Sequence, residues 1–246
     1  MAAASLKIAL VTGASRGIGR AIAGALLERG YAVACGYRAQ RHKAAETAKH
    51  YPAAFPVEID IHERASVRDA LAETAKHFGR PIDILVNNAA IADEKPFETI
   101  TDADWDRMLE TNLRGPFIAA QEALPAMVEK RWGRIVNIVS IGGQWGGMRQ
   151  VHYAASKAAL INFTQSLARL YSAQGITSNA VSPGLVGTDM AQNELQSEAG
   201  RAKLAQIPLG RIAAPQEIAA AVAFLCSEEA GYITGQTINV NGGMLF

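Results

Sequence analysis

The sequence predicts an α/β fold, a doubly wound parallel sheet of about seven strands with helices on both faces. Three observations carry this. Short apolar runs of strand length alternate with longer stretches of helical periodicity. The first apolar run ends in a glycine-rich turn that opens a helix. Polar residues such as Asp60 and Asn88 stand just after apolar runs, the place where open parallel sheets collect ligands.

Composition sets the limits. The 246 residues are 49% hydrophobic and 19% charged, which suits a well-buried core. No repeat, low-complexity segment or linker divides 1–246, so one domain is expected. A formal charge of +1 gives no bulk electrostatic case for nucleic acid or a membrane surface. No apolar run approaches the ~20 residues of a membrane span. The N-terminus has no secretory pattern, and Cys35 and Cys226 each sit in an apolar run, so a cytoplasmic protein with buried thiols is expected. The five histidines show no metal-ligand spacing, and no metal is expected.

The elements follow in order. Residues 7–11 form the first strand and lead into Thr12-Gly13-Ala14-Ser15-Arg16-Gly17-Ile18-Gly19. Strand, glycine turn and helix make the dinucleotide-binding opening of a Rossmann-type sheet, although the spacing is G-x-x-x-G-x-G and a turn without a ligand is the plainer alternative. Residues 32–37 are the second strand. An acid after it would suit the ribose 2′-hydroxyl of NAD; here Tyr37-Arg38-Ala39-Gln40-Arg41 follows, and Arg16 adds another cation. Guanidiniums without a carboxylate point to NADP(H), the alternative being solvated charges at the start of the next helix. Residues 53–59 are the third strand, 63–78 a helix and 82–86 the fourth strand. Asp60 and Asn88 follow the third and fourth strands, as ligand contacts or as turn and cap residues.

Residues 101–127 read as one long helix. Asn112 and Gly115-Pro116 predict a local break in it, able to hold a water or a polar contact. Residues 134–139 are the fifth strand, ending at Ser140. The glycine-rich stretch 141–150 reads as a flexible loop carrying Trp145, a candidate substrate wall. Then comes Tyr153-Ala-Ala-Ser-Lys157, leading into helical periodicity. Positions i and i+4 share a helix face, so an ammonium is expected beside a phenol, lowering its pKa from the usual ~10 toward the range useful for acid–base chemistry. Taken alone, such a pair occurs in many helices without a catalytic role. Residues 177–181 are the sixth strand, 188–210 a polar, weakly helical lid, 215–225 the last helix and 237–240 the seventh strand.

Taken together, Thr12-Gly13-x-x-x-Gly17-Ile18-Gly19, Asn87-Asn88-Ala89, Asn112, Ser140, Tyr153-x-x-x-Lys157 and Pro183-Gly184 fall in one order at compatible spacings. From 7 to about 243 the chain resembles the short-chain dehydrogenase/reductase superfamily. Within it, Ile84-Leu85-Val86-Asn87-Asn88-Ala89, Glu217-Ile218-Ala219 and Tyr232-Ile233-Thr234-Gly235 with Val240-Asn241-Gly242-Gly243-Met244 look most like bacterial 3-oxoacyl-[acyl-carrier-protein] reductases.

The resemblance implies NADPH-dependent reduction of a carbonyl, here a 3-oxoacyl thioester, with Asn112, Ser140, Tyr153 and Lys157 as catalytic residues. It implies that Gly13, Ser15, Arg16, Gly17, Ile18 and Gly19 line the cofactor phosphates and that Arg38 meets the 2′-phosphate. Asp60 and Ile61 would border the adenine, Asn88 the adenosine ribose, and Val186 and Thr188 the carboxamide, with Tyr153 and Lys157 completing the cofactor contacts. Ser140, Trp145 and Tyr153 would face the substrate. A homotetramer and an acyl carrier protein docked through Arg131 are also implied. The chain departs from the pattern at Ala90, Trp145, His152 and Gln174. These departures leave open a reductase or dehydrogenase of a free ketone, sugar or cyclic alcohol, and, from another class, a non-catalytic nucleotide-binding subunit. The sugar-nucleotide epimerase branch shares Tyr-x-x-x-Lys, but this chain is short for it.

Overall fold

The strands number seven, and all but the two at the sheet edges are buried on both faces, as a sheet covered on each side requires. They are β1 (Ile8–Val11), β2 (Ala32–Tyr37), β3 (Ala54–Glu58), β4 (Ile84–Asn87), β5 (Gly133–Ile138), β6 (Ile176–Pro183) and β7 (Thr237–Val240). The computed structural model describes residues 6–188, 202 and 204–246. In it the seven strands form one parallel sheet in the order β3-β2-β1-β4-β5-β6-β7. The chain runs outward from β1 to β3, then returns to place β4 on the other side of β1. The carboxyl ends of β1 and β4 therefore flank a switch point, where a crevice opens.

Alternation along β1 shows how the layers are made. Ala9 and Val11 join a core formed with α1 (Gly17–Glu28) and a C-terminal helix, Pro215–Leu225. Ile8 and Leu10 point to the opposite core, which includes α3 (Arg64–Phe78), α5 (Gly115–Lys130) and Leu167 of α7 (Val151–Tyr171). The short helix α2 (Arg41–Lys49) contributes Ala44 to the first core.

The stretch expected as one helix over 101–127 is α4 (Asp102–Leu109), a π-helical turn (Glu110–Arg114) and then α5, with Gly115 N–H bonded to Glu110 O. The break lies where Asn112, Gly115 and Pro116 place it. Its form is a widened turn rather than a kink at proline. The expected loop over 141–150 contains a helical turn, α6 (Gly142–Trp145), packed closely on α7: a Cβ on Gly143 would come within 2.8 Å of the Ala158 nitrogen. It is thus anchored rather than flexible. Much of the lid expected over 188–210 (189–201 and 203) lies outside the described residues. Ile207 is buried, and the Leu209 N–H donates to Gly242 O (3.1 Å). Among the described residues no helix is long and apolar enough to cross a membrane.

Candidate active site

The turn between β1 and α1 is shaped for close backbone approach. Gly13 (φ 67°) and Gly17 (φ 53°) are left-handed. A Cβ on Gly19 would lie 2.3 Å from Gly13 O and 2.4 Å from Asn88 Nδ2. Asn88, just past β4, fastens the turn: its Nδ2 donates to Thr12 O (2.9 Å) and Gly13 O (3.2 Å), and its backbone N–H donates to Thr12 Oγ1 (3.0 Å). The side-chain amide expected at the ribose is thus committed to the glycine turn. α1 starts without a side-chain cap and without an acid in its first turn, so its N–H groups are left for an anion. Arg16, at the N-cap, is exposed, and Ser15 and Ile18 are half-buried beside it. Thr188 approaches from across the crevice: a Cβ on Gly17 would lie 3.3 Å from its Cγ2. Its N–H donates to the carbonyl of buried Val186, which bridges to Ala213. Turn, uncapped helix and the 186–188 segment fit the pyrophosphate of a dinucleotide.

The adenosine edge departs from expectation. The residues after β2 are cationic, but β2 pairs with β3 so that Tyr37 lies opposite Glu58. That register carries Asp60 to Arg38, with Arg38 Nε 3.1 Å from Asp60 Oδ2. The absence of an acid near β2 in sequence is therefore not an absence in space. Asp60 Oδ1 also meets His62 Nδ1 at 2.9 Å. Ile61 is buried against the start of α5, where a Cβ on Gly115 would come 2.6 Å from its Cδ1.

Ser140, Tyr153 and Lys157 meet at the carboxyl end of β5. Tyr153 and Lys157 lie one turn apart on α7, as predicted, with Lys157 Nζ 5.7 Å from the Tyr153 ring centroid. The electrostatics differ from the expectation. Burial raises the Tyr153 pKa above its ordinary value, and the neighbouring Ser140 hydroxyl opposes this only partly. Lys157 is buried and donates to Ile138 O (2.8 Å), and desolvation pushes its pKa down to about 8. Burial outweighs the pull of the Ser140 hydroxyl, so the phenol stays protonated through the neutral range.

Asn112, fully buried in the π-turn, is a clamp. Its Oδ1 accepts from Ile91 N–H and its Nδ2 donates to Ile91 O, both at 2.9 Å; Nδ2 also lies 3.1 Å from Ser156 Oγ. The Ser156 hydroxyl donates to Tyr153 O (2.7 Å). Asn112 thus connects the segment after β4 to the helix carrying Tyr153.

This layout has known counterparts. A family model described as enoyl-(acyl carrier protein) reductase matches residues 13–245. The 3-oxoacyl-[acyl-carrier-protein] reductase FabG of Salmonella typhimurium is 45% identical over 240 residues, covering 97% of each chain. FabG of Staphylococcus aureus is 43% identical over 242 residues, 97% of this chain and 98% of that one. The chain belongs to the short-chain dehydrogenase/reductase family. It is accordingly an oxidoreductase of the class that uses a nicotinamide cofactor.

Two predicted residues of this short-chain dehydrogenase/reductase stand apart from the cluster. Trp145, at the end of α6, is half exposed, and its neighbour Gln144 donates to Ser182 Oγ and Asn239 Oδ1, both at 2.7 Å. Gln144 pins the Trp145 turn to the ends of β6 and β7, a contact with no local signature in sequence. Arg131 precedes β5 whereas Ser140 follows it, so the two lie at opposite ends of a six-residue strand, roughly 20 Å apart along it. Its guanidinium donates to Ala173 O (2.9 Å). Sequence reasoning also missed His62, Ser156 and Thr12. Ser156 stood in plain view inside the Tyr153–Lys157 pentapeptide.

Proposed function

We propose that this protein is an NADPH-dependent reductase of 3-oxoacyl thioesters, acting on the acyl chain while it stays attached to acyl carrier protein and working as a homotetramer in the cytoplasm. The observation that supports the reading best is the pairing of the Ser140 and Tyr153 hydroxyls across the crevice from an uncapped glycine turn, in a chain 45% identical to a 3-oxoacyl-[acyl-carrier-protein] reductase over nearly its full length.

When bound, the nicotinamide supplies hydride to the substrate's carbonyl carbon. Gly13, Ser15, Arg16, Gly17, Ile18 and Gly19 hold the pyrophosphate, and Asn88 keeps their turn in shape. Arg38 receives the 2′-phosphate, Asp60 and Ile61 border the adenine, and Val186 and Thr188 orient the nicotinamide end. Ser140 donates a hydrogen bond to the substrate carbonyl oxygen. Tyr153, held protonated by burial, gives that oxygen its proton, and two donors converging on one oxygen stabilise the negative charge it develops. Lys157 holds positive charge beneath the phenol and reaches the nicotinamide ribose. Asn112 keeps the π-turn against α7 and aligns a water for proton return.

The half-exposed Trp145 and the neutral Gln174 favour one second reading, reduction of a free ketone, sugar or cyclic alcohol. One assay separates the possibilities: NADPH and NADH oxidation with a 3-oxoacyl carrier-protein substrate, the matching coenzyme A thioester, an enoyl thioester and a panel of ketones. Turnover of 3-oxoacyl substrates with NADPH is expected. Turnover confined to enoyl thioesters or to ketones would overturn the substrate, and a preference for NADH would overturn the cofactor.

A further inference from the structure

We infer that His62 sets the preference of the adenosine site for a 2′-phosphate, acting as a protonation-dependent counterweight to Asp60. This rests on the NADP(H) reading above and sharpens it.

The difficulty lies in the Arg38–Asp60 pair. Arg38 Nε and Asp60 Oδ2 are 3.1 Å apart, so this edge of the crevice has no net charge from the two of them. A carboxylate there suits a ribose hydroxyl and repels a phosphate dianion. Arg38 alone therefore does not make the edge a phosphate site. A third group supplies the missing charge. His62 meets the other oxygen of Asp60 twice, through Nδ1 (2.9 Å) and through its backbone N–H (3.1 Å). Asp60 is further fixed by its backbone N–H, 2.9 Å from Ser66 Oγ.

The far side of the ring determines what His62 can be. Nε2 lies 2.9 Å from Thr111 Oγ1, and Thr111 Oγ1 lies 2.9 Å from the Arg107 carbonyl oxygen. A carboxylate only accepts, so Nδ1 carries a proton in either state. The Thr111 hydroxyl has one proton to give. If it goes to Arg107 O, Nε2 must be a donor and the ring is an imidazolium. If it turns to Nε2, the ring is neutral. Rotation of one hydroxyl accommodates both states without moving a heavy atom.

The charge at the edge follows that rotor. With His62 protonated, Arg38, Asp60 and His62 sum to one positive charge, and the exposed Arg16 adds a second across the turn. With His62 neutral, only Arg16 remains uncompensated. Other charged groups nearby are already paired: Arg114 donates to His62 O (3.1 Å) and pairs with Glu110, Arg64 pairs with Glu122, and Arg107 pairs with Asp93. Thr111 also stands next to Asn112 in the π-turn, so the peptide bond between them joins the adenosine edge to the clamp behind Tyr153. His62 is a positioning residue, since it acts on the phosphate through Asp60 and Arg38.

The test is calorimetric and needs no turnover. Binding of adenosine 2′,5′-bisphosphate and of 5′-AMP to the full chain is measured at several pH values from 6.5 to 8.5, above the second ionisation of a phosphate monoester, near pH ~6. In the wild type the preference for the bisphosphate is expected to fall about fivefold as pH rises, the scale of one screened surface charge. In His62→Gln it should stay flat at the wild-type alkaline value. In Asp60→Asn, with no carboxylate to offset, it should exceed the wild-type value at every pH. A flat wild-type profile, or a His62→Gln profile matching the wild type, would overturn the inference while leaving the cofactor reading intact. A wild type that binds both ligands equally at every pH would overturn the cofactor reading and this inference with it. Thermal melts confirm that each variant is folded, and the wild-type profile decides even where a variant is not.

Discussion

Lys157 is a buried ammonium with no carboxylate partner among the described residues, held by one hydrogen bond to Ile138 O. Such a group costs stability. Its folded pKa of about 8 lies below the ordinary 10.5. Below about pH 8 the folded and unfolded chains are both protonated and the full cost of burying the charge stands. Between about 8 and 10.5 the unfolded chain binds more protons, so the Lys157 contribution makes stability rise with pH across that window. Replacing Lys157 by Met is expected to stabilise the fold at pH 7 by about 1–2 kcal/mol, even after loss of the Ile138 bond, and to flatten the rise between pH 8 and 10. Denaturation at several pH values measures both, and a destabilised variant at pH 7 would refute the claim that Lys157 is a net burden. The same residue should be needed for turnover, because a buried cation kept at such cost must act on its neighbour. Tyr153→Phe removes the acid itself and is expected to lower reduction roughly a hundredfold or more, with cofactor binding by calorimetry nearly unchanged. Tyr153 stays protonated past neutral pH while Lys157 loses its charge near 8, so wild-type carbonyl reduction should decline above about pH 8. Alcohol oxidation, which needs the phenolate, should gain only at still higher pH, because burial holds the Tyr153 pKa above its ordinary value.

At the level of elements, the π-turn links the crevice to the catalytic helix. Asn112 satisfies both backbone groups of Ile91 and reaches Ser156, whose hydroxyl returns to the carbonyl of Tyr153. Asn112→Ala leaves the part-buried Ile91 N–H and C=O without their amide partner and is expected to cost about 1–3 kcal/mol. Urea denaturation measures the loss; a cost below ~1 kcal/mol would mean that water replaces the amide with ease. The sequence carried the position of this turn but not its form. Asn112, Gly115 and Pro116 are all poor at continuing a helix and so mark a break. Whether the ladder kinks, stops or widens depends on Ile91, twenty-one positions upstream, and such partners have no local signature. The strands were legible for the opposite reason. Burial on both faces demands an uninterrupted apolar run, and Ala32–Tyr37 has the bounds that its run predicts. In Gly142–Trp145, surrounding glycines concealed a helical turn whose anchors, Ser182 and Asn239, are remote in sequence. Asp60 was visible as a strand-end residue, but its contact with Arg38 needed the β2–β3 register. The phenol–ammonium pair on α7 was legible down to its spacing. Its electrostatic sign was not, since burial is a property of the packed whole.

For the whole molecule, the position of Arg131 sets a geometric condition. It precedes β5 while Ser140 and Tyr153 lie past its other end, so a carrier protein docked on Arg131 cannot readily present its acyl group to Tyr153 of the same chain. In a homotetramer it can present it to another copy. Two surface grooves offer faces for assembly. One, of about 640 Å³, is lined by Leu109 of α4, Leu113 of the π-turn, Phe117 of α5 and Phe163 of α7; the other, of about 420 Å³, lies between α7 and the start of β7, and neither includes Tyr153. Phe117 and Phe163 meet edge to face at 6.4 Å and remain partly open to solvent, the kind of apolar surface that association covers. Light scattering is expected to give a mass about four times 26.1 kDa, and Phe117→Glu to lower it. Delivery between copies has a sharper test. Arg131→Glu should lose activity on the carrier-bound substrate while keeping it on the coenzyme A thioester. Tyr153→Phe should be inactive on both. Co-expressed, the two variants should recover activity on the carrier-bound substrate, because a Tyr153→Phe copy supplies the docking cation and an Arg131→Glu copy supplies the phenol. Recovery absent from purified mixed assemblies, with coenzyme A activity retained, would place docking and chemistry on the same chain and require a cation other than Arg131.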